Sequence, residues 1–113
     1  MNNMRNKVQL IGRLGMDPEV LNFDGGKKKA NFNLATNSAY YDKAGEKVEE
    51  TQWHKVVAWG KNAERIEKFM RKGQQVAIEG RLSSRSWEDK DGQKRYITEI
   101  MVSEFLLLGN KES

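Results

Sequence analysis

Trp53, Lys55, Val57 and Trp59 occupy every second position of the run Trp53-His54-Lys55-Val56-Val57-Ala58-Trp59. In a strand, alternate side chains point to opposite faces. Two indoles and an ammonium then share one face, while His54, Val56 and Ala58 share the other. Flat aromatic surfaces beside a cation suit a ligand that carries unpaired rings and a regular negative charge. Single-stranded nucleic acid has both, since its bases stack on aromatic faces and its phosphates need cations. Large aromatics also fill barrel cores, but on a core face Lys55 would be a buried, unpaired charge.

A second constellation repeats the pattern. Arg81, Ser83, Arg85 and Trp87 alternate along one strand, and Lys94-Arg95-Tyr96 lies across the hairpin from them. A cation beside each ring can hold phosphate while a base stacks. Arg81 taken alone is equally consistent with a solvated charge paired to Glu79 or Glu99. Lys27-Lys28-Lys29, after a Gly-Gly turn, reads as a flexible hairpin tip that supplies long-range attraction more than a defined contact.

Catalysis finds little support in these residues. His54 is the single histidine, with no nucleophile or orienting partner in view, and by alternation it points away from the indoles toward a core or a subunit contact. The carboxylates flank turns (Asp42, Asp89, Asp91) or scatter along a loop (Glu46, Glu49, Glu50), whereas metal-dependent cleavage needs them clustered. Cysteine is absent, which removes disulfides, thiolate metal sites and thiol nucleophiles together. No catalytic residue, metal or cofactor is expected. The formal charge of +4 is modest, so it matters only where it is clustered.

The elements that must position these residues are mostly strands. In 113 residues there is room for one core, and residues 1–109 read as one domain with a short end at 110–113. Lys7 to Leu14 is a strand broken by Asp17-Pro18; a second runs from about Lys29 to Thr36; Tyr41 to Glu50 is a polar loop; the tryptophan strand ends at Gly60. Lys61 to Lys72 has Ala63, Ile66, Phe69 and Met70 at helical spacing, with Asn62 as a candidate cap and Gly73 past the end. Two long strands, about Gln75 to Trp87 and Lys94 to Leu108, meet at an Asp91-Gly92 turn. The last is apolar on both parities, Ile97, Met101 and Phe105 against Ile100, Val102, Leu106 and Leu108. One face can line a barrel, and the other then needs a partner. The order of strands, one helix and a closing hairpin predicts an all-β fold, a five-stranded Greek-key barrel of the OB type with a long final hairpin. No apolar stretch resembles a signal peptide or a membrane span, so a cytoplasmic, nucleoid-associated protein is expected.

Asn6-Lys7-Val8, Gly12-Arg13-Leu14-Gly15, Asp17-Pro18-Glu19, Asn31-Phe32-Asn33-Leu34-Ala35-Thr36, Thr51-Gln52-Trp53-His54-Lys55-Val56-Val57, Gly60-Lys61, Arg71-Lys72-Gly73, Ile78-Glu79-Gly80-Arg81-Leu82 and Tyr96-Ile97-Thr98-Glu99 follow one another here. In that order and spacing the chain resembles the bacterial single-stranded DNA-binding proteins, from about Asn6 to Gly109. The resemblance implies an OB-fold subunit of a homotetramer with single-stranded DNA wrapped over it. It places the stacking aromatics on Tyr40, Trp53, Trp59 and Trp87, where many members have tryptophan at the first of these and phenylalanine at the third. Phosphate contacts are expected from Arg5, Lys7, Lys55, Lys61, Arg71, Lys72, Arg85 and Arg95, and subunit contacts from His54, Ile97, Ile100 and Val102. Members commonly continue into a flexible linker and an acidic tip that recruits other enzymes. This sequence stops at Gly109-Asn110-Lys111-Glu112-Ser113, either as a tail-less member or as a trimmed chain, and recruitment through such a tip is not expected of it.

The function expected is sequence-tolerant binding and protection of single-stranded DNA in replication, recombination and repair. An RNA-binding or primosome-accessory OB module differs in preferring matched RNA, and a structural oligomerisation domain in leaving its indole emission unchanged by oligonucleotide. A nuclease would cut labelled strand when given a divalent metal.

Overall fold

The computed structural model describes residues 4–109; the short end read at 110–113 lies outside the described residues. In chain order the elements are β1 (Val8–Leu14), β2 (Glu19–Phe23), β3 (Lys27–Tyr41), β4 (Lys47–Trp59), α1 (Lys61–Phe69), β5 (Gln75–Glu88) and β6 (Lys94–Gly109). A single 3-10 turn at Asp24–Gly26 joins β2 to β3.

Hydrogen bonding runs β1-β5-β6-β4-β3-β2, and β1 also pairs with β3 at Arg13↔Ala35 and Leu14↔Leu34. That second pairing closes β1, β5, β6, β4 and β3 into the expected five-stranded barrel. β2 is an additional strand, pairing Glu19 to Phe23 with Asn31 to Lys27 on the same edge of β3 that β1 occupies further along. The Asp17-Pro18 break therefore interrupts one edge track and does not end it. The sequence reading missed β2 because Glu19-Val20-Leu21-Asn22-Phe23 is short and barely alternates.

Phe32, Leu34, Val56, Ile78, Ile100 and Phe105 fill the barrel, and Ala63, Ile66 and Met70 seat α1 against the same cluster. The helix is shorter than its periodicity predicts. Its N-cap is Gly60, with φ 65°, and not Asn62. Asn62 Nδ2 instead donates to the carbonyls of Val102 and Ser103. At the other end Met70 turns to extended backbone and its side chain is buried in the core. Arg71 then folds back, its guanidinium donating to the Glu67 and Met70 carbonyls, which satisfies acceptors that a helix end leaves open.

Half of the polar stretch read as a loop, Tyr41 and Lys47 to Glu50, is strand. β3 and β4 pair without interruption from Lys29↔Trp59 to Tyr41↔Lys47, so only the tip from Asp42 to Glu46 is turn. Both long hairpins close in the same way. Asp42 Oδ1 accepts from the amides of Ala44 and Glu46, Asp89 Oδ1 from those of Asp91 and Gln93, each at 2.9 Å. Gly45 and Gly92 follow at φ 82°, a conformation that glycine adopts without steric cost.

β6 departs most from its expected pattern. Ile100 and Val102, expected at a subunit contact, lie in the barrel core, and Phe105, of opposite parity, joins them. The register explains this: Gly80 faces Val102 while Glu79 faces Glu104, so Ser103 is an extra residue and the phase of the strand flips there.

Candidate nucleic-acid interface

Strand register assembles one outer face across four neighbouring strands. From β3 come Lys29, Asn31, Asn33 and Ala35, which pair with Trp59, Val57, Lys55 and Trp53 of β4. β4 runs parallel to β6 with Val57 beside Met101, and β6 presents Arg95, Ile97, Glu99 and Met101 on that side. These pair with Trp87, Arg85, Ser83 and Arg81 of β5. Both constellations of the sequence thus lie on a single surface.

The rings expected to stack are open to solvent: Trp53 is 60% exposed, Trp59 42%, Trp87 45% and Tyr40 50%. Val57, which shares the face of Trp53 and Trp59, is buried. Trp53 is seated on Gly15, where an added Cβ would come within 2.4 Å of its ring. The loop after β1 therefore abuts the outer edge of the six-membered ring, while the residue stays largely open to solvent. The Gly15 amide is itself held by the Asn33 carbonyl at 3.0 Å, and Asn33 Nδ2 approaches Met16 Sδ at 3.9 Å.

Cations accompany the rings. Arg85 stands 5.7 Å from the centroid of Trp87, and Lys29 5.5 Å from that of Trp59. Lys55, Lys61 and Arg81 make no ion pair among the described residues, so they present unneutralised charge. The carboxylates suggested for Arg81 are engaged elsewhere, Glu79 by Lys7 at 3.7 Å and Glu99 by Arg85 at 3.3 Å. Glu99 is only 5% exposed although it lies on the outer face.

Other expected contacts are spent locally or lie apart. Arg95 Nε donates to Asp89 Oδ2 at 2.9 Å, and the amide hydrogen bonds from Gln93 and then the Arg95 guanidinium hold the Asp89 carboxyl below its ordinary value. Arg71 caps α1 as described, and the Lys72 backbone amide donates to Asp17 Oδ1. Arg5 is exposed ahead of β1. Register puts Tyr40 with Leu34 and Thr36, on the ribbon face opposite Trp53; Tyr41, which the sequence reading did not single out, is on the Trp53 side and more exposed. His54, opposite Leu34, is half-buried with Nε2 at 2.9 Å from Thr36 Oγ1.

Two lysines of the run Lys27-Lys28-Lys29 are better defined than a flexible tip would be. Lys28 pairs with Glu67 of α1 on one side of β3, while Lys29 stands over Trp59 on the other. Among the described residues no group of three or more histidines and carboxylates is arranged to hold a metal ion. No helix there is long and apolar enough to cross a membrane.

Residues 5–108 match the Single-strand binding protein family. The chain belongs to that family. It is 49% identical over 109 residues to Single-stranded DNA-binding protein 1 of Chlorobaculum tepidum, covering 96% of this chain and 67% of that protein. A protein of the same name from Xylella fastidiosa is 46% identical over 108 residues, covering 95% of this chain and 79% of its own. Among solved structures, the Plasmodium falciparum SSB complex with ssDNA superposes with a TM-score of 0.84 at 38% identity, covering 92% of this chain and 95% of that one. The family and the OB barrel read from the sequence are therefore both shown.

Proposed function

We propose that this chain binds single-stranded DNA without strong sequence preference and protects it during replication, recombination and repair. The observation that carries this reading is the continuous outer face of β5, β6, β4 and β3, on which Trp53, Trp59 and Trp87 are exposed, with Lys29 beside Trp59 and Arg85 beside Trp87. The family relationship and the named ligand of the Plasmodium falciparum structure support the same assignment.

In this mechanism bases unstack from one another and stack on the indoles, while Lys55, Lys61, Arg81 and Arg85 take phosphates. Every base offers a π-face, so stacking is tolerant of sequence. Tyr40 is reached where the strand passes round the projecting β3–β4 ribbon. Four stacked bases at about 1–3 kcal/mol each give roughly 4–12 kcal/mol before ordering costs. Micromolar to nanomolar binding spans about 8–12 kcal/mol, so the phosphate contacts supply a needed share. Binding, and not catalysis, is the activity assigned, with residues 1–109 acting as one unit at the nucleoid.

The assembly proposed is a homotetramer. Register aligns Ile11 of β1, Ala77 of β5 and Leu106 of β6 in one row, with Ile11 and Leu106 largely exposed. That row is where a second subunit would cover apolar surface, and His54 and Ile97 stay as further candidates for subunit contact.

Competition measures the assignment directly. Matched oligo-dT, oligo-rU and duplex DNA compete for the protein by filter binding, and the expected order of affinity puts oligo-dT first. Tighter binding of oligo-rU would favour an RNA module, and binding of none of the three would favour a structural oligomerisation domain.

A further inference from the structure

Phe23 lies at the end of β2 and is 46% exposed, beside a turn made of Asp24, Gly25 and Gly26. An isolated exposed phenylalanine needs no explanation, but this one is not isolated. Its centroid is 5.7 Å from that of Trp59, with the planes inclined by 32°. Register places both rings on the same side of the sheet: Phe23 faces Lys27, Leu21 faces Lys29, and Lys29 faces Trp59. The aromatic surface of β4 therefore continues onto β2.

The charges around Phe23 are sorted by side. Lys28 points the other way and is neutralised by Glu67. Lys27, opposite Phe23, makes no ion pair among the described residues, and Lys29 stands over Trp59. Lys27, Trp59 and Gly60 line an open hollow of about 490 Å³ against the Trp59 ring. Its walls are an apolar ring and a cation, which is the chemistry that holds one stacked base and its phosphate.

We propose that Phe23 and Lys27 form a further nucleotide subsite, extending the DNA track past Trp59 along the β2–β3 hairpin. The proposal rests on the reading of the outer face as a DNA-binding surface. One base stacks on Phe23 and its phosphate lies against Lys27. Lys29 steadies the Trp59 ring between this subsite and the rest of the face.

Two experiments test it. In the first, the unmodified protein is irradiated with an oligonucleotide carrying 5-iododeoxyuridine at each position in turn, and adducts are mapped by peptide mass spectrometry. An adduct on Phe23 is expected at one position of the strand; adducts confined to other residues would overturn the subsite. In the second, anisotropy titrations with labelled oligo-dT compare Phe23→Tyr, Phe23→Leu and Trp53→Ala, with circular dichroism confirming the fold of each. Phe23→Tyr keeps a flat ring and should bind within about twofold of the parent, while Phe23→Leu, which still packs on Trp59 but offers no face, should bind about tenfold more weakly. Parental affinity in Phe23→Leu with a loss in Trp53→Ala would show that Phe23 only props Trp59, and the subsite alone would fall. Parental affinity in both would take down the whole face, a distinct failure.

Discussion

At the residue scale the face works through rings that touch their neighbours yet stay open to solvent. Trp53 shows this most clearly, since Gly15 lies so close that a methyl group there would enter the indole. Gly15→Ala should therefore tilt Trp53 and weaken oligo-dT binding while leaving the barrel folded; equal affinity with an unchanged melting temperature would show that the loop yields instead. Glu99 is the less expected participant. A nearly buried carboxylate under Arg85 obliges an arriving phosphate to compete for that guanidinium. Glu99→Gln should free the charge and steepen the fall of log K with log salt by up to about 0.7, one phosphate's worth for a single strand. A slope equal to the parent's would mean that Arg85 does not reach DNA. The exposure of the tryptophans was legible in the sequence because Lys55 stood between them. Glu99 was not, because alternation assigns a face but cannot tell which residues on it are covered by neighbours.

At the scale of elements, the hairpins carry the face beyond the barrel, and their tips are set by aspartate. The Asp89 carboxyl is depressed by the Gln93 amide and by Arg95. A depressed carboxylate contributes order that is complete above its unfolded pKa and is lost as pH falls through its lower folded pKa. The protection of the Gln93 amide, its exchange rate relative to an unstructured peptide at the same pH, should thus persist at neutral pH and be lost only in acid below the ordinary aspartate range. The Asp89→Ala variant should lack that protection at both. The hairpin between β5 and β6 was readable from Asp91-Gly92 because that turn type demands glycine. The equivalent tip at Gly45 was passed over as a loop, since neither flank, Ser38 to Tyr41 or Lys47 to Glu50, alternates apolar with polar residues. A ribbon exposed on both faces has no apolar alternation to display. The Ser103 bulge failed to register for a related reason. A phase flip looks like a strand apolar on both faces, and only the pairing with Gly80 and Glu79 separates the two.

For the whole molecule, the order of elements and the chain-wide motifs sufficed to give the barrel and the family. Of the residues expected at a subunit contact, Ile100 and Val102 turn inward within the subunit, and the proposed contact is the exposed pair Ile11 and Leu106. Light scattering at micromolar concentration should give about four times the chain mass of 13.0 kDa. Ile11→Glu with Leu106→Glu should shift it toward smaller species by placing charges in the row. An unshifted mass would move the subunit contact elsewhere. The most direct test of the central claim is a titration of intrinsic tryptophan emission with oligo-dT. Strong, saturable quenching is predicted, with Trp53→Ala and Trp87→Ala each weakening the binding by about 1–3 kcal/mol in a folded protein. Emission unchanged at saturating oligonucleotide, or parental affinity in both variants, would contradict it.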